Sequence, residues 1–254
     1  MDQTASVDDR QVDSLPVSQC EAIEHNARFI VVGGGAQNIF DRVGQRLPKM
    51  TSVCINTNEE HLSGSCADMR ILVGKDVTYG QDCQYPEVGA HCVENCKGEI
   101  ESAIDGADFV YILAGLGGGT GSGISPFIAA MCKDKGIPSF GVAVMPFAAE
   151  GKARAEVARI ALEEMRRHTL LTVAIENDSV AKVSKDLGLQ QWVDLTDEAV
   201  LKLVSSIHEH VSKPYQHVID QAIESAQECE DGTIDIEFHR DIGEASGPRN
   251  QESA

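Results

Sequence analysis

The chain has 254 residues, 42% of them hydrophobic, enough for one large domain or two small ones with a buried core. It carries 40 Asp and Glu against 21 Lys and Arg, and the formal net charge of -19 argues against nucleic-acid or anionic-membrane partners. No apolar run reaches the roughly 18 residues of a membrane span, so direct membrane insertion is not expected. Residues 1–20 lack the basic start and apolar stretch of a signal peptide, and a cytoplasmic protein is expected.

Residues 1–26 are polar and acidic without a sustained apolar period, and read as an N-terminal arm. From Arg28 onward, strand-like and helix-like runs alternate. Phe29–Val32 is a predicted strand, Asn38–Arg46 a helix and Ser52–Asn56 a second strand. A helix over 94–105 leads to a central apolar strand over 108–114, then a helix over 124–135 and a strand from Ser139 to Met145. Glu150–Arg167 is a long helix rich in Ala, Glu and Arg, Leu170–Ile175 a strand, and Thr196–His210 a helix with apolar residues at Ala199, Leu203 and Ile207. This alternation predicts an α/β fold, a Rossmann-like, mostly parallel sheet with helices on both faces. Ligands on such sheets sit beyond the C-terminal strand ends. The eight cysteines are too few for a disulfide scaffold in a chain this long. Cys83, Cys92 and Cys96 with His91 match no zinc spacing, and no metal site is expected there.

The most informative stretch is Gly117-Gly118-Gly119-Thr120-Gly121-Ser122-Gly123, between a strand and a helix. A helix start offers free N–H groups and a positive dipole end, and a glycine-rich turn there lets amides close around phosphate oxygens. No Gly-Lys-Ser/Thr follows, so it is not a P-loop, and it lacks the G-x-G-x-x-G dinucleotide fingerprint. The run instead resembles the G-G-G-T-G-[ST]-G signature of the tubulin family, which includes FtsZ and CetZ. Its flanks, Ala114-Gly115-Leu116 before and Pro126 after, are closer to FtsZ.

The resemblance extends, in family order, from about residue 28 to 220. Gly33-Gly34-Gly35-Ala36-Gln37-Asn38 resembles the first phosphate loop, with Arg42 one turn later. Gln37 replaces a usual glycine and is expected to crowd the base side of the pocket. Ile55-Asn56-Thr57-Asn58 resembles the second loop, I-N-T-D, with Asn58 in place of the aspartate. Pro86-Glu87-Val88-Gly89 resembles the third loop, which senses the γ-phosphate. Pro146-Phe147 with Glu150, Gly151 and Arg154 resembles the fifth, which surrounds ribose and phosphates. Asn177-Asp178 resembles the sixth, near the base. Asp197 matches the acceptor of guanine N1–H and N2–H2. The aromatic that stacks on the base aligns with Val193, with Trp192 beside it.

The resemblance therefore implies a domain over 27–195 that binds GTP or GDP, with Mg2+ accompanying GTP. A central helix and following segment over 196–226 and an acidic tail over 227–254 complete the expected organisation. Too little chain follows Asp220 for the family's second domain, which is expected to be absent. Hydrolysis in the family is completed by a neighbouring subunit, through a loop of form N-x-D-x-x-D. A gapless register keeps only Asp220 of its polar positions. A register with an insertion offers Asp235, Glu237 and Asp241, and both sets also fit ordinary surface carboxylates. Two functions stay open: a head-to-tail filament former with weak GTPase activity, in cell division or cell-shape control, and a non-polymerising guanine-nucleotide-binding regulator of a related protein. The missing fingerprint counts against an NAD enzyme.

Overall fold

The computed structural model describes residues 25–179 and 188–228, the last stretch from 212 as backbone only. Six strands form one parallel sheet in the order β3-β2-β1-β4-β5-β6. They are β1 (Ala27–Val32), β2 (Thr51–Asn56), β3 (Met69–Leu72), β4 (Phe109–Gly115), β5 (Ser139–Met145) and β6 (Leu171–Glu176). The helices are α1 (Gly33–Val43), α2 (Glu59–Ser63), α3 (Lys75–Thr78), α4 (Pro86–Glu94), α5 (Lys97–Ile104), α6 (Gly119–Asp134), α7 (Lys152–His168) and α8 (Leu189–Glu228).

Strands buried on both faces read as continuous apolar runs rather than alternating ones. β4 is the clearest case, with Phe109 through Ala114 all buried. Each fully buried Ile or Leu there contributes roughly 2 kcal/mol. On one face, Ile30, Ile112 and Ala143 pack against α4, α5, α6 and α7 through residues such as Val93, Ile100, Ile124 and Met165. On the other, Phe29, Tyr111 and Val142 meet Ile39 and Phe40 of α1 and Val200 and Val204 of α8. The compact unit runs through Val211, so the first turns of α8 are part of its core. From Ser212 a second unit begins, of which the helical backbone of residues 212–228 is described.

The sheet order reverses between β1 and β4, which pair in register from Ala27↔Phe109 to Val32↔Ala114. The chain leaves β1 toward one face and β4 toward the other, opening a crevice at the carboxyl ends of the two strands.

Several predicted boundaries move. α1 starts at Gly33 rather than Asn38, and α6 at Gly119 rather than Ile124, so both glycine loops are first helical turns. Pro86-Glu87-Val88-Gly89, expected as a loop, opens α4, and the helix expected over 94–105 is interrupted at Asn95–Cys96. α8 begins at Leu189, a turn or two before Thr196. β3 and α2 were not anticipated. β3 is a four-residue edge strand with Met69 and Arg70 exposed, so its apolar signal is weak.

The glycines of α6 divide by what surrounds them. A Cβ at Gly121 would stand 1.9 Å from the carbonyl oxygen of Gly115, and one at Gly123 2.2 Å from that of Pro86. A Cβ at Gly118 would meet nothing. Gly121→Ala is therefore expected to cost about 3 kcal/mol through overpacking against backbone, and Gly118→Ala about 0.5 kcal/mol. Urea denaturation of both variants checks the contrast.

His208 of α8 packs against Phe109 and Tyr111, with ring centroids 5.9 and 6.2 Å apart and the Tyr111 hydroxyl 3.5 Å from Nδ1. Burial, then the positive charge of nearby His25, pushes the imidazole below its ordinary value. Above the unfolded value of about 6.5 both states are neutral. Below it the unfolded chain takes the proton first, so stability falls until the folded value is passed. Urea midpoints measured from pH 7.5 down to 5 should fall, and the fall should be shallower in His208→Asn.

Candidate nucleotide-binding site

A cavity of about 750 Å³ lies beyond the carboxyl ends of β1, β4 and β5. Two helix starts form one end. The residues preceding them, Val32 for α1 and Gly118 for α6, make no side-chain cap. The first-turn amides are therefore free of intrahelical partners and carry the positive dipole ends of both helices. The two starts touch, since a Cβ at Gly33 would lie 3.1 Å from the amide nitrogen of Gly121. Gly33 has φ 80° and Gly117 φ 99°, the left-handed region that favours glycine. The Ser122 hydroxyl accepts from the Gly117 amide at 2.8 Å and closes the turn before α6. The Thr120 and Thr57 hydroxyls are 2.8 Å apart, tying α6 to the end of β2. Such a pair of bare helix starts suits an anion.

The opposite end carries charge. Asp197 of α8 is buried, and Arg42 of α1 grips both its oxygens, Nε donating to Oδ2 at 2.5 Å and Nη2 to Oδ1 at 2.8 Å. This hydrogen bond outweighs partial burial and raises the guanidinium above its ordinary value. One turn on, Arg46 pairs with Glu198 at 2.6 Å. Asn177 donates to the Met145 carbonyl at 2.7 Å and accepts from the Thr196 hydroxyl at 3.0 Å, joining β5 to α8. Along the wall, Glu150 accepts from the Phe147 amide at 2.9 Å and pairs with Arg154. Asp178 accepts from the Ala148 amide at 2.9 Å. Phe147 lies 6.5 Å from the ring of Trp192.

Residues 19–185 match the model of the Tubulin/FtsZ family, GTPase domain. The chain belongs to the tubulin/FtsZ family. It is 35% identical over 199 residues to the cell division protein FtsZ of Methanothermobacter thermautotrophicus, covering 76% of this chain and 52% of that protein. It is 32% identical to cell division protein FtsZ 1 of Thermococcus kodakarensis, with 76% and 52% covered. Among solved structures it resembles an empty FtsZ dimer from M. jannaschii, with TM-score 0.69, 31% identity and 75% and 56% covered. It also resembles the GTPγS-bound protofilament of CetZ2 from Haloferax volcanii, with TM-score 0.63, 26% identity and 72% and 57% covered. The chain spans about half the length of the curated relatives it matches.

The cavity of this tubulin/FtsZ domain gathers most residues singled out in the sequence. Gly33, Gly34, Gly35, Asn38 and Arg42 line it from α1, and Gly117 through Gly121 from the signature. Glu150, Arg154, Asn177, Val193 and Asp197 complete the wall. Other expected residues turn elsewhere. Ala36 is buried under the sheet, and Ser122 and Gly123 serve the turn and the packing of α6 on α4. Gln37 does not line the cavity, and its amide faces Asn56 and the His61 carbonyl. Asn58 caps α2, and Glu87 is exposed on the first turn of α4. Asp220 lies on α8 where only backbone is described, and Asp235, Glu237 and Asp241 lie outside the described residues.

Sequence reasoning missed His61 and the run Asp82–Tyr85, which also line the cavity. The Cys83 carbonyl accepts from the Gly119 amide at 3.2 Å, its thiol donates to the Tyr85 carbonyl at 3.1 Å, and burial pushes that thiol up. The available signal was position, directly before Pro86-Glu87-Val88-Gly89. Among the described residues no group of three His, Cys, Asp or Glu gathers to hold a metal ion.

Arg42 is 40% exposed and Asp197 7%, so the pair stands between the surface and buried limits. Asp197→Ala, which strands the guanidinium, should cost roughly 1–3 kcal/mol. Arg42→Ala should cost a similar amount, and the double variant less than the sum of the two. A urea double-mutant cycle measures this coupling.

Proposed function

We propose that this chain binds GTP and GDP in the cavity and assembles head to tail with copies of itself or a related tubulin/FtsZ protein. It hydrolyses GTP weakly and serves cell division or cell-shape control. One observation carries the reading: two uncapped helix starts face one end of the cavity, and a buried carboxylate, Asp197, stands at the other. An anion site at one end and a carboxylate at the other suit a ligand with phosphates at one end and paired N–H donors at the other. Guanine offers such a pair and adenine does not, so Asp197 would select the base.

Family membership supports the guanine nucleotide. Relatives named as cell division proteins support the cellular role, and the protofilament of CetZ2 supports the head-to-tail assembly. A heterologous interface that does not close yields open filaments. The fit is also steric, since Gly118 leaves open space where a Cβ would meet nothing. Mg2+ bound with GTP neutralises charge on the phosphates, and it is held largely by phosphate oxygens and water. Asp82 is the acidic side chain at the phosphate end. Hydrolysis would draw its carboxylate from a neighbouring subunit, with Asp220, Asp235 and Glu237 the candidates.

Sedimentation with GTP, with GDP and without nucleotide tests the reading. The protein should pellet with GTP and remain in the supernatant otherwise, and phosphate release per molecule should rise with protein concentration. Absence of any guanine-nucleotide binding would sink it.

A further inference from the structure

We infer that His61 is a phosphate-contacting residue of this site, and that Gln37 and Asn58 mount it there. The inference rests on the proposed nucleotide binding. His61 lines the cavity, and its imidazole lies over the first turn of α1, where a Cβ at Gly34 would stand 2.9 Å from Nδ1. A side chain at position 34 would push the ring aside. Glycine there leaves the imidazole beside the uncapped amides of α1.

The backbone of His61 is held on both sides. Its amide donates to Asn58 Oδ1 at 2.9 Å, and its carbonyl accepts from Gln37 Nε2 at 2.5 Å. Gln37 is itself fixed, since Asn56 Nδ2 donates to its Oε1 at 3.0 Å. Gln37 and Asn58 are the two loop residues that depart from the expected glycine and aspartate, and each holds the backbone of residue 61. Both bonds go to the backbone of residue 61, so they fix where the side chain begins, and the exposed imidazole is what reaches over the start of α1.

Charge points the same way. Of the cations lining the cavity, Arg42 is paired with Asp197 and Arg154 with Glu150. Of the lining side chains that can carry positive charge, His61 is the one without a carboxylate partner among the described residues. It stands at the end formed by the helix starts, away from Asp197.

Binding is followed through Trp192, the single tryptophan, which lies beside the Phe147 wall. GTP, GDP and guanosine are titrated into the wild-type chain, His61→Ala and His61→Gln, with thermal melting as a check of folding. The backbone contacts of His61 survive either substitution. His61→Ala should weaken GTP and GDP by about tenfold and leave guanosine within about twofold, as loss of a hydrogen bond to a charged group predicts. His61→Gln keeps an N–H donor and should recover most of the affinity. Unchanged GDP binding in His61→Ala overturns the inference, as does an equal loss for guanosine. A wild-type chain that binds no guanine nucleotide overturns the proposed function beneath it as well.

Discussion

The absence of a Cβ at Gly121 is the constraint on which the rest of the site depends. It lets the start of α6 run under the carbonyl of Gly115 at the end of β4. The same closeness recurs where Gly123 passes beneath Pro86, and where Gly119 meets the backbone of Cys83 and Tyr85. Three helical positions are thereby pinned against three different backbone segments. That fixes the direction of α6 and brings the amides of Thr120 and Gly121 to the mouth of the crevice. Glycine is unfavourable inside a helix by roughly 1 kcal/mol each. Here close packing outweighs that propensity cost.

The second fixed point is the tie between α1 and α8. Arg42 of α1 and Arg46, just beyond its end, reach the consecutive residues Asp197 and Glu198 of α8. Because α1 also supplies one of the anion-facing helix starts, the two ends of the cavity are joined through one rigid helix. Asn177 adds a second brace, from β5 to Thr196 of α8. The distance between the helix starts and the Asp197 carboxylate is therefore set by the scaffold and not by loop conformation.

Legibility in the sequence followed burial. β1, β2, β4 and β5 are apolar runs buried on both faces and stood out, whereas edge strand β3, with exposed Met69 and Arg70, did not. Helix starts were misplaced wherever glycine filled the first turn, at Gly33 and Gly119, because propensity reads glycine as loop while packing makes it helix. The signature, Glu150, Arg154 and Asp197 were readable because motif order supplied what single residues could not. Gln37 and Asn58 were recognised as departures, but the direction of their side chains depends on the position of α2, which no local pattern encoded. His61 had no signal of its own, since a histidine on a five-residue helix is ordinary until Gly34 is found beneath it.

A net charge of -19 sets the last problem, because an acidic chain repels an anion at long range. The two guanidinium groups of the cavity do little against it, as Asp197 and Glu150 already compensate them. In the proposed reading, attraction falls to neutral N–H groups at two helix starts and to the imidazole above one of them. Surface charge is screened over about 8 Å at physiological salt. The dipole of a helix end acts within its first turn, at contact distance, where that screening has no room to develop. The acidic surface and the anion site therefore operate on different length scales. Their coexistence requires that few carboxylates stand near the helix starts, where glycines, Thr120 and His61 line the cavity and Asp82 is the acidic side chain.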